Sequence, residues 1–301
     1  MATVTLYDFY DFSSNDGNGW SISGSNATTI NLSDSSHQKT ITFSGSFTQS
    51  GNSISGTVNG LSLSQNGTSI FTISGLNLDA ATTQSKFLGD NQAFKSWLLS
   101  GDDTFIVNTK AMGGTMNGYG GSDTLVFAAP RGDYAESVNI VGPTFKPTMG
   151  SGSSGQLAKE NMSQIVSVQN IETIRFSDSA IRLDSGGNSA KTMEFIGTVA
   201  PSLLNDLAVR REILKFFDSG YSMESLCQLA LNAKLVPTTN EALAAAVFQN
   251  VVGSAAPAGT VKALVDYIDT HSQANFLATV AEMHLNVDVV GIAQSGMSYA
   301  L

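Results

Sequence analysis

Two short stretches of this sequence set a carboxylate against a glycine turn: "SGDDTFIV", Ser100 to Val107, and "NGYGGSDTLVF", Asn117 to Phe127. Each runs from a glycine turn to Asp, then Thr, then a β-favouring hydrophobic tail. An Asp directly after such a turn presents its carboxylate oxygens beside exposed backbone carbonyls. A hard cation such as Ca²⁺ takes about six to eight oxygens of this kind. Where such turns stack, one ion bridges neighbouring coils, and the hydrophobe after Asp-Thr enters the coil interior. Hairpin turns of Asp and Gly that hold no metal have the same composition. Both readings stand at this level.

The other chemistry-bearing residues form no catalytic constellation. The sequence has no Gly-x-Ser-x-Gly elbow, no His-Glu-x-x-His and no paired-carboxylate motif. His37, His271 and His284 are scattered, without a second ligand at zinc spacing. "GSGSSG", Gly150 to Gly155, matches a dinucleotide fingerprint by letter but follows no strand of a βαβ unit, so it reads as a flexible loop. "RGD", Arg131 to Asp133, reads as the approach to a strand that begins at Tyr134. Tyr7, Tyr10 and His37 could be assembled into a haem site, but their spacing does not favour it over packing. The single cysteine, Cys227, excludes an intrachain disulfide and reads as a small buried apolar side chain.

The positions of the turns depend on the elements around them. Residues 20 to 78 alternate with period two: Ile41, Phe43 and Phe47 share a face, as do Ile54 and Val58. The phase slips at Gly60, before Leu61 and Leu63, and again at Gly75, after Phe71 and Ile73. Such slips at glycine predict bulges in antiparallel strands. Phe94, Trp97 and Leu98 predict one short helix ahead of the turns. After Phe127, "RGDYAESVNIV" and "SQIVSVQNIETIRFSDSAIRLD" read as strands around a mobile loop, "GPTFKPTMGSGSSGQ". From about Ser189 the pattern becomes helical. One helix segment opens on Pro201 and closes on Gly220. Another opens on Thr238 and Glu241 in capping-box spacing, with Leu243, Val247, Phe248 and Val251 on one face. Two more carry Val261, Leu264, Val265 and Ile268, then Phe276, Val280 and Met283.

The bulk composition narrows the function classes. At 301 residues, two domains are expected, placed at 1–188 and 189–301. Twenty-five Asp and Glu against 15 Lys and Arg give a net charge of −10, which speaks against a nucleic-acid partner. No apolar run approaches the roughly 20 residues of a membrane span. The start, "MATVTLYDFYDF", lacks the basic and apolar regions of a cleaved leader.

On these residues the chain resembles the repeats-in-toxin family of calcium-binding, type I-secreted bacterial proteins. "GYGGSDTLV" matches the family's nonapeptide with Tyr119 in a glycine position, and "SGDDTFIV" supplies its second half. The resemblance implies that Asp103 and Asp123 are Ca²⁺ ligands, that Asp102 and Asn117 help, and that Gly118 and Gly120 complete the metal set. The two Asp lie 20 residues apart rather than at a multiple of nine, which departs from the family pattern. "LVFAAPRGDYAESVNIV" with "VSVQNIETIRFSDSAIRLD" looks like the segment that closes such a roll. "FFDSGYSMESLCQLALNA", "AAVFQNVVGSAAPAG" and "NVDVVGIAQSGMSYAL" look like the helical domain often appended to it. That domain's usual Arg-x-Pro-Asp is missing, with Ser254 and "AAPAG" in its place.

The expectation is therefore an α+β chain: an N-terminal antiparallel β domain runs into a short calcium-binding β-roll at about 100–127, and a C-terminal α-helical domain follows. The implied protein is not an enzyme. It leaves the cell through the type I secretion machinery on an uncleaved C-terminal signal and folds when it meets external Ca²⁺. There it associates with itself at the cell surface as a layer or filament. The alternatives are a monomeric adhesin or ligand-binding module and a secreted hydrolase.

Overall fold

The computed structural model of the chain describes residues 1–8, 10–11, 19–50, 53–108, 114–137, 144–147, 166–183, 187–283, 286, 290–291 and 296–301. The fold is α+β, and the chain divides into two compact units, Met1–Asp178 and Ser179–Leu301.

The first unit is built on one mixed sheet. Five strands form an antiparallel meander: β2 (Ser21–Ser25), β3 (Thr29–Asp34), β4 (Lys39–Ser50), β5 (Ser53–Gln65) and β6 (Thr68–Asp79). Their alternation buries Ile30, Leu32, Ile41, Phe43, Ile54, Val58, Leu61 and Leu63. The register shifts between Val58 and Gly60, where the sequence slips phase, so one extra residue returns Leu61 and Leu63 to the buried face. Gly75 takes a left-handed φ of 78° at the second slip. β1 (Thr3–Leu6) pairs antiparallel with β6 on one side and parallel with β7 (Thr104–Val107) on the other. Beyond β7 the ladder continues in parallel through β9 (Thr124–Phe127) to β13 (Thr173–Arg175).

A second sheet holds β8 (Gly114–Asn117), β10 (Tyr134–Ser137), β11 (Thr144–Pro147) and β12 (Val166–Gln169), with β12 and β8 parallel. Arg131–Asp133 is a short 3₁₀ turn leading into β10. β11 corrects the loop expected over 142–156, because Thr144–Pro147 pairs with both β10 and β12. The rest of that segment, including Gly150–Gly155, lies outside the described residues.

Two helices lie between β6 and β7. α2 (Asn91–Leu98) is the expected one, and Asp90 caps it by accepting from Ala93 N at 2.7 Å. α1 (Ala80–Phe87) has only Ala80 and Phe87 as buried apolar residues, a pattern too sparse to stand out in the sequence. Its start is set by Asp79, which accepts from Thr82 N at 2.8 Å.

In the second unit β14 (Ser179–Arg182) pairs antiparallel with β15 (Met297–Ala300) at the chain's end. That pairing sets the unit's start at Ser179, ahead of the helical onset near Ser189. It also makes a strand of "MSYA", which the sequence reading had placed in a helical domain. Six helices lie between: α3 (Asn188–Val199), α4 (Leu207–Asp218), α5 (Met223–Asn232), α6 (Asn240–Val252), α7 (Ala258–His271) and α8 (Gln273–Ala281). α3 is buried from Ser189 through Val199 except at Lys191. Its hydroxyls are satisfied along the helix, with Thr192 and Thr198 donating to the Asn188 and Glu194 carbonyls at 2.7 and 3.0 Å. The cap of α6 is Thr239 rather than Thr238, since Thr239 accepts from Ala242 N. Cys227 is fully buried, and burial pushes its thiol up to about 12, which keeps it protonated and apolar.

Candidate functional site

The expected turns come together on the parallel part of the first unit. Thr3, Thr104, Thr124 and Thr173 stand side by side in register across β1, β7, β9 and β13. One residue on, Val4, Phe105, Leu125 and Ile174 form an interior column with no exposed surface. Burying each such side chain contributes about 1.5–3 kcal/mol. Phe127 then stacks on Phe176 at 5.4 Å between ring centroids. The hydrophobe after Asp-Thr thus enters the coil interior.

One residue before each Thr, the column is Ala2, Asp103, Asp123 and Glu172. Each acidic side chain accepts the backbone N–H of the preceding member. Ala2 N donates to Asp103 Oδ1, Asp103 N to Asp123 Oδ1 at 2.7 Å, and Asp123 N to Glu172 Oε2 at 2.7 Å. The main chain repeats the step: Thr104 N donates to Ala2 O, Thr124 N to Asp103 O and Thr173 N to Asp123 O, at 3.0, 2.9 and 3.0 Å. The result is a ladder of carboxylates, one per coil, stitching each turn to its neighbour. The 20-residue separation of Asp103 and Asp123 is one coil of this ladder, because β8 in the second sheet lies between β7 and β9.

The turns pack backbone against backbone. A Cβ on Gly118 would lie 2.1 Å from both the Asn170 carbonyl oxygen and Asp123 Oδ2. A Cβ on Gly121, which has φ 116°, would lie 2.4 Å from the Gly101 carbonyl oxygen. Only glycine fits at either position. Tyr119, at the position where the repeat has glycine, is also left-handed, with φ 63°. Gly120 N donates to Gly118 O at 2.9 Å and closes the turn. Asn117 Oδ1 accepts from Tyr119 N and from Asn170 Nδ2, both at 2.9 Å, so it clips its own turn to the next. Asp102 is exposed and accepts from Ser122 N at 2.8 Å.

Asp103 and Asp123 are 3% and 1% exposed, and the second carboxylate oxygen of each, Oδ2, is buried without a hydrogen-bond partner. Burial raises both pKa values. Asp123 is pushed up to about 7, with the charges of Asp103, Glu172 and Asp102 adding to the effect and the Asp103 N–H opposing it. A buried charge of this kind is costly until a proton or a cation meets it.

The donor set is all oxygen and suits a hard cation. Among the described residues, however, no three of His, Cys, Asp and Glu converge as a ready-made cage. An ion held by Asp103 Oδ2 and Asp123 Oδ2 would draw its other ligands from backbone carbonyls, which calcium accepts. Asp102 Oδ1 and Asn117 Oδ1 are already engaged by backbone and amide donors. Glu172 is the member that sequence reading missed. Its signal was present, since "ETIRF" at 172–176 repeats "DTLVF" at 123–127 with Glu for Asp.

The other candidates lie elsewhere. His37 Nδ1 meets Asp34 Oδ2 at 2.7 Å, Tyr10 packs edge-on to Phe71, and His271 stacks on Tyr267 at 4.1 Å. His284 lies outside the described residues. No helix among the described residues is long and apolar enough to cross a membrane. No family model, curated protein or solved structure matches this chain.

Proposed function

We propose that this chain is a secreted, non-enzymatic structural protein whose stacked turns form a short β-roll closed by Ca²⁺. The observation that carries the reading is the pair of buried, unpartnered oxygens, Asp103 Oδ2 and Asp123 Oδ2, on adjacent coils. At low Ca²⁺ and neutral pH these carboxylates must either hold a proton or remain buried as charges, and both weaken the coil. At external Ca²⁺ levels, a cation between the turns supplies the missing partner, and binding free energy becomes folding free energy. Asp102, Asn117, Gly118 and Gly120 hold the turns that would present the carbonyl ligands. Such a coil stays threadable during type I export and closes outside the cell.

Self-association is the second half of the proposal. β2 ends the sheet order, and among the described residues no further strand pairs with its outer edge. Its sequence, "SISGS", carries no charge to block edge-to-edge pairing. Light scattering in millimolar Ca²⁺ tests this half: large particles that dissolve on chelation are expected, and Ile22→Lys at the edge should reduce them. A monodisperse monomer in Ca²⁺ would reject assembly and leave a monomeric adhesin or ligand-binding module.

A further inference from the structure

An apolar cavity of about 80 Å³ opens between α1 and the meander of the first unit, away from the stacked turns. Its sheet wall includes Ile30, Phe43 and Val58, and its helix wall Thr83 and Phe87. The gap follows from the fold: α1 is only 8 residues long, too short to cover the apolar face that β2 to β5 present. The mouth lies at Ile22 and Leu88, which are 51% and 61% exposed. Among the described residues, none of the side chains lining it is charged.

One polar group stands out in this wall. The indole Nε1–H of Trp20 is buried and finds no acceptor among the described residues. Its ring lies 6.1 Å from that of Phe87, centroid to centroid, which fixes it beside the cavity. A buried donor left unsatisfied costs about 1–3 kcal/mol. An apolar space with one waiting donor is the ordinary design of a small-molecule site, in which hydrophobic walls give affinity and a single polar group gives orientation.

We infer that this cavity binds a small, uncharged, mainly aliphatic molecule whose single acceptor oxygen takes the Trp20 Nε1–H. The enclosed space is about half that of the ~150 Å³ engineered cavity that admits benzene. The occupant is therefore the end of a slender chain, with the remainder lying along the exposed Ile22 and Leu88. The uncharged wall selects an alcohol, ketone or ester over a carboxylate, because a carboxylate would be desolvated without a cation to meet it. This inference does not depend on calcium or on assembly.

The test uses 1-hexanol as probe and the full chain in ¹H–¹⁵N NMR. The protein has two tryptophans, so Trp97→Phe assigns the Trp20 indole cross-peak. That cross-peak should move and saturate with 1-hexanol, and hexanoate should produce a response at least about tenfold weaker. Thr83→Leu should fill the cavity and abolish the response. Trp20→Phe should weaken hexanol binding by about three- to tenfold, while xenon, which needs no hydrogen bond, perturbs the lining methyls as before. An unmoved indole at saturating hexanol would overturn the inference, as would equal responses in wild type and folded Thr83→Leu. If Thr83→Leu fails to fold, the hexanol and xenon responses of Trp20→Phe decide the matter. Equal loss of both, or loss of neither, rejects the hydrogen-bonded site.

Discussion

The antiparallel meander and the parallel coil belong to one sheet, yet they hold together by different means. β4, β5 and β6 run for 12, 13 and 12 residues, and their stability is spread over long ladders and a continuous apolar face. β7, β9 and β13 run for 4, 4 and 3 residues, too short to rely on pairing alone. The coil compensates with a fully buried hydrophobic column and a carboxylate at each turn. Distributed stabilisation tolerates single changes. Stabilisation concentrated on a few buried acids and glycines does not, and it responds to pH and to cations.

The comparison is broken most severely at glycine. Gly118→Ala should cost about 3 kcal/mol or more, because its Cβ meets the Asn170 carbonyl and Asp123 Oδ2 at 2.1 Å. Gly67→Ala, in the β5–β6 turn with open space around it and φ 76°, should cost only about 1 kcal/mol. Urea denaturation of the two variants gives the contrast directly, and equal losses would erase the distinction.

Proton linkage comes next. The folded Asp123 pKa, about 7, lies above the unfolded value near 3.8, so the native state holds a proton that the unfolded chain has lost. Stability of the calcium-free protein should therefore fall as pH rises from about 4 through about 7, by up to a few kcal/mol. Asp123→Asn should remove most of that slope while keeping an oxygen for the Asp103 N–H. Melting curves across the window check this, and a flat profile in wild type would contradict it.

Smaller effects sharpen the picture. Glu172→Ala takes the acceptor from Asp123 N and should cost about 1–2 kcal/mol, whereas Glu172→Gln retains an oxygen and should cost less. In the helical unit, Thr239→Ala should cost about 1 kcal/mol through the lost cap of α6. Thr238→Ala should stay within about 0.5 kcal/mol. Chemical denaturation resolves both pairs.

Much of the first unit was legible because its physics is local. Alternation around Ile41, Phe43, Leu61 and Leu63 marks the strands, and the phase slips at Gly60 and Gly75 mark the irregularities. Asp103 and Asp123 were legible as a pair because each follows a glycine turn and precedes Thr and a hydrophobe. Glu172 escaped because no glycine precedes it and 49 residues separate it from its partner Asp123. β1 escaped for a related reason: "ATVTL" carries no acid, and its place beside β7 comes from long-range parallel pairing. The hydrogen-bonding role of the ladder was not legible either, since sequence places carboxylates near turns without saying which donor they meet. Trp20 and α1 form a cavity only through packing, which no periodicity records.

The account rests on a cation joining Asp103 and Asp123 on adjacent coils. Calorimetric titration of Ca²⁺ at neutral pH into wild type and the Asp103→Asn, Asp123→Asn double variant tests it most directly. The wild type should give a saturable heat and a melting temperature raised by roughly 5–10 °C in excess Ca²⁺, with neither effect in the double variant. A wild-type protein that releases no heat and melts at the same temperature with and without millimolar Ca²⁺ would contradict it.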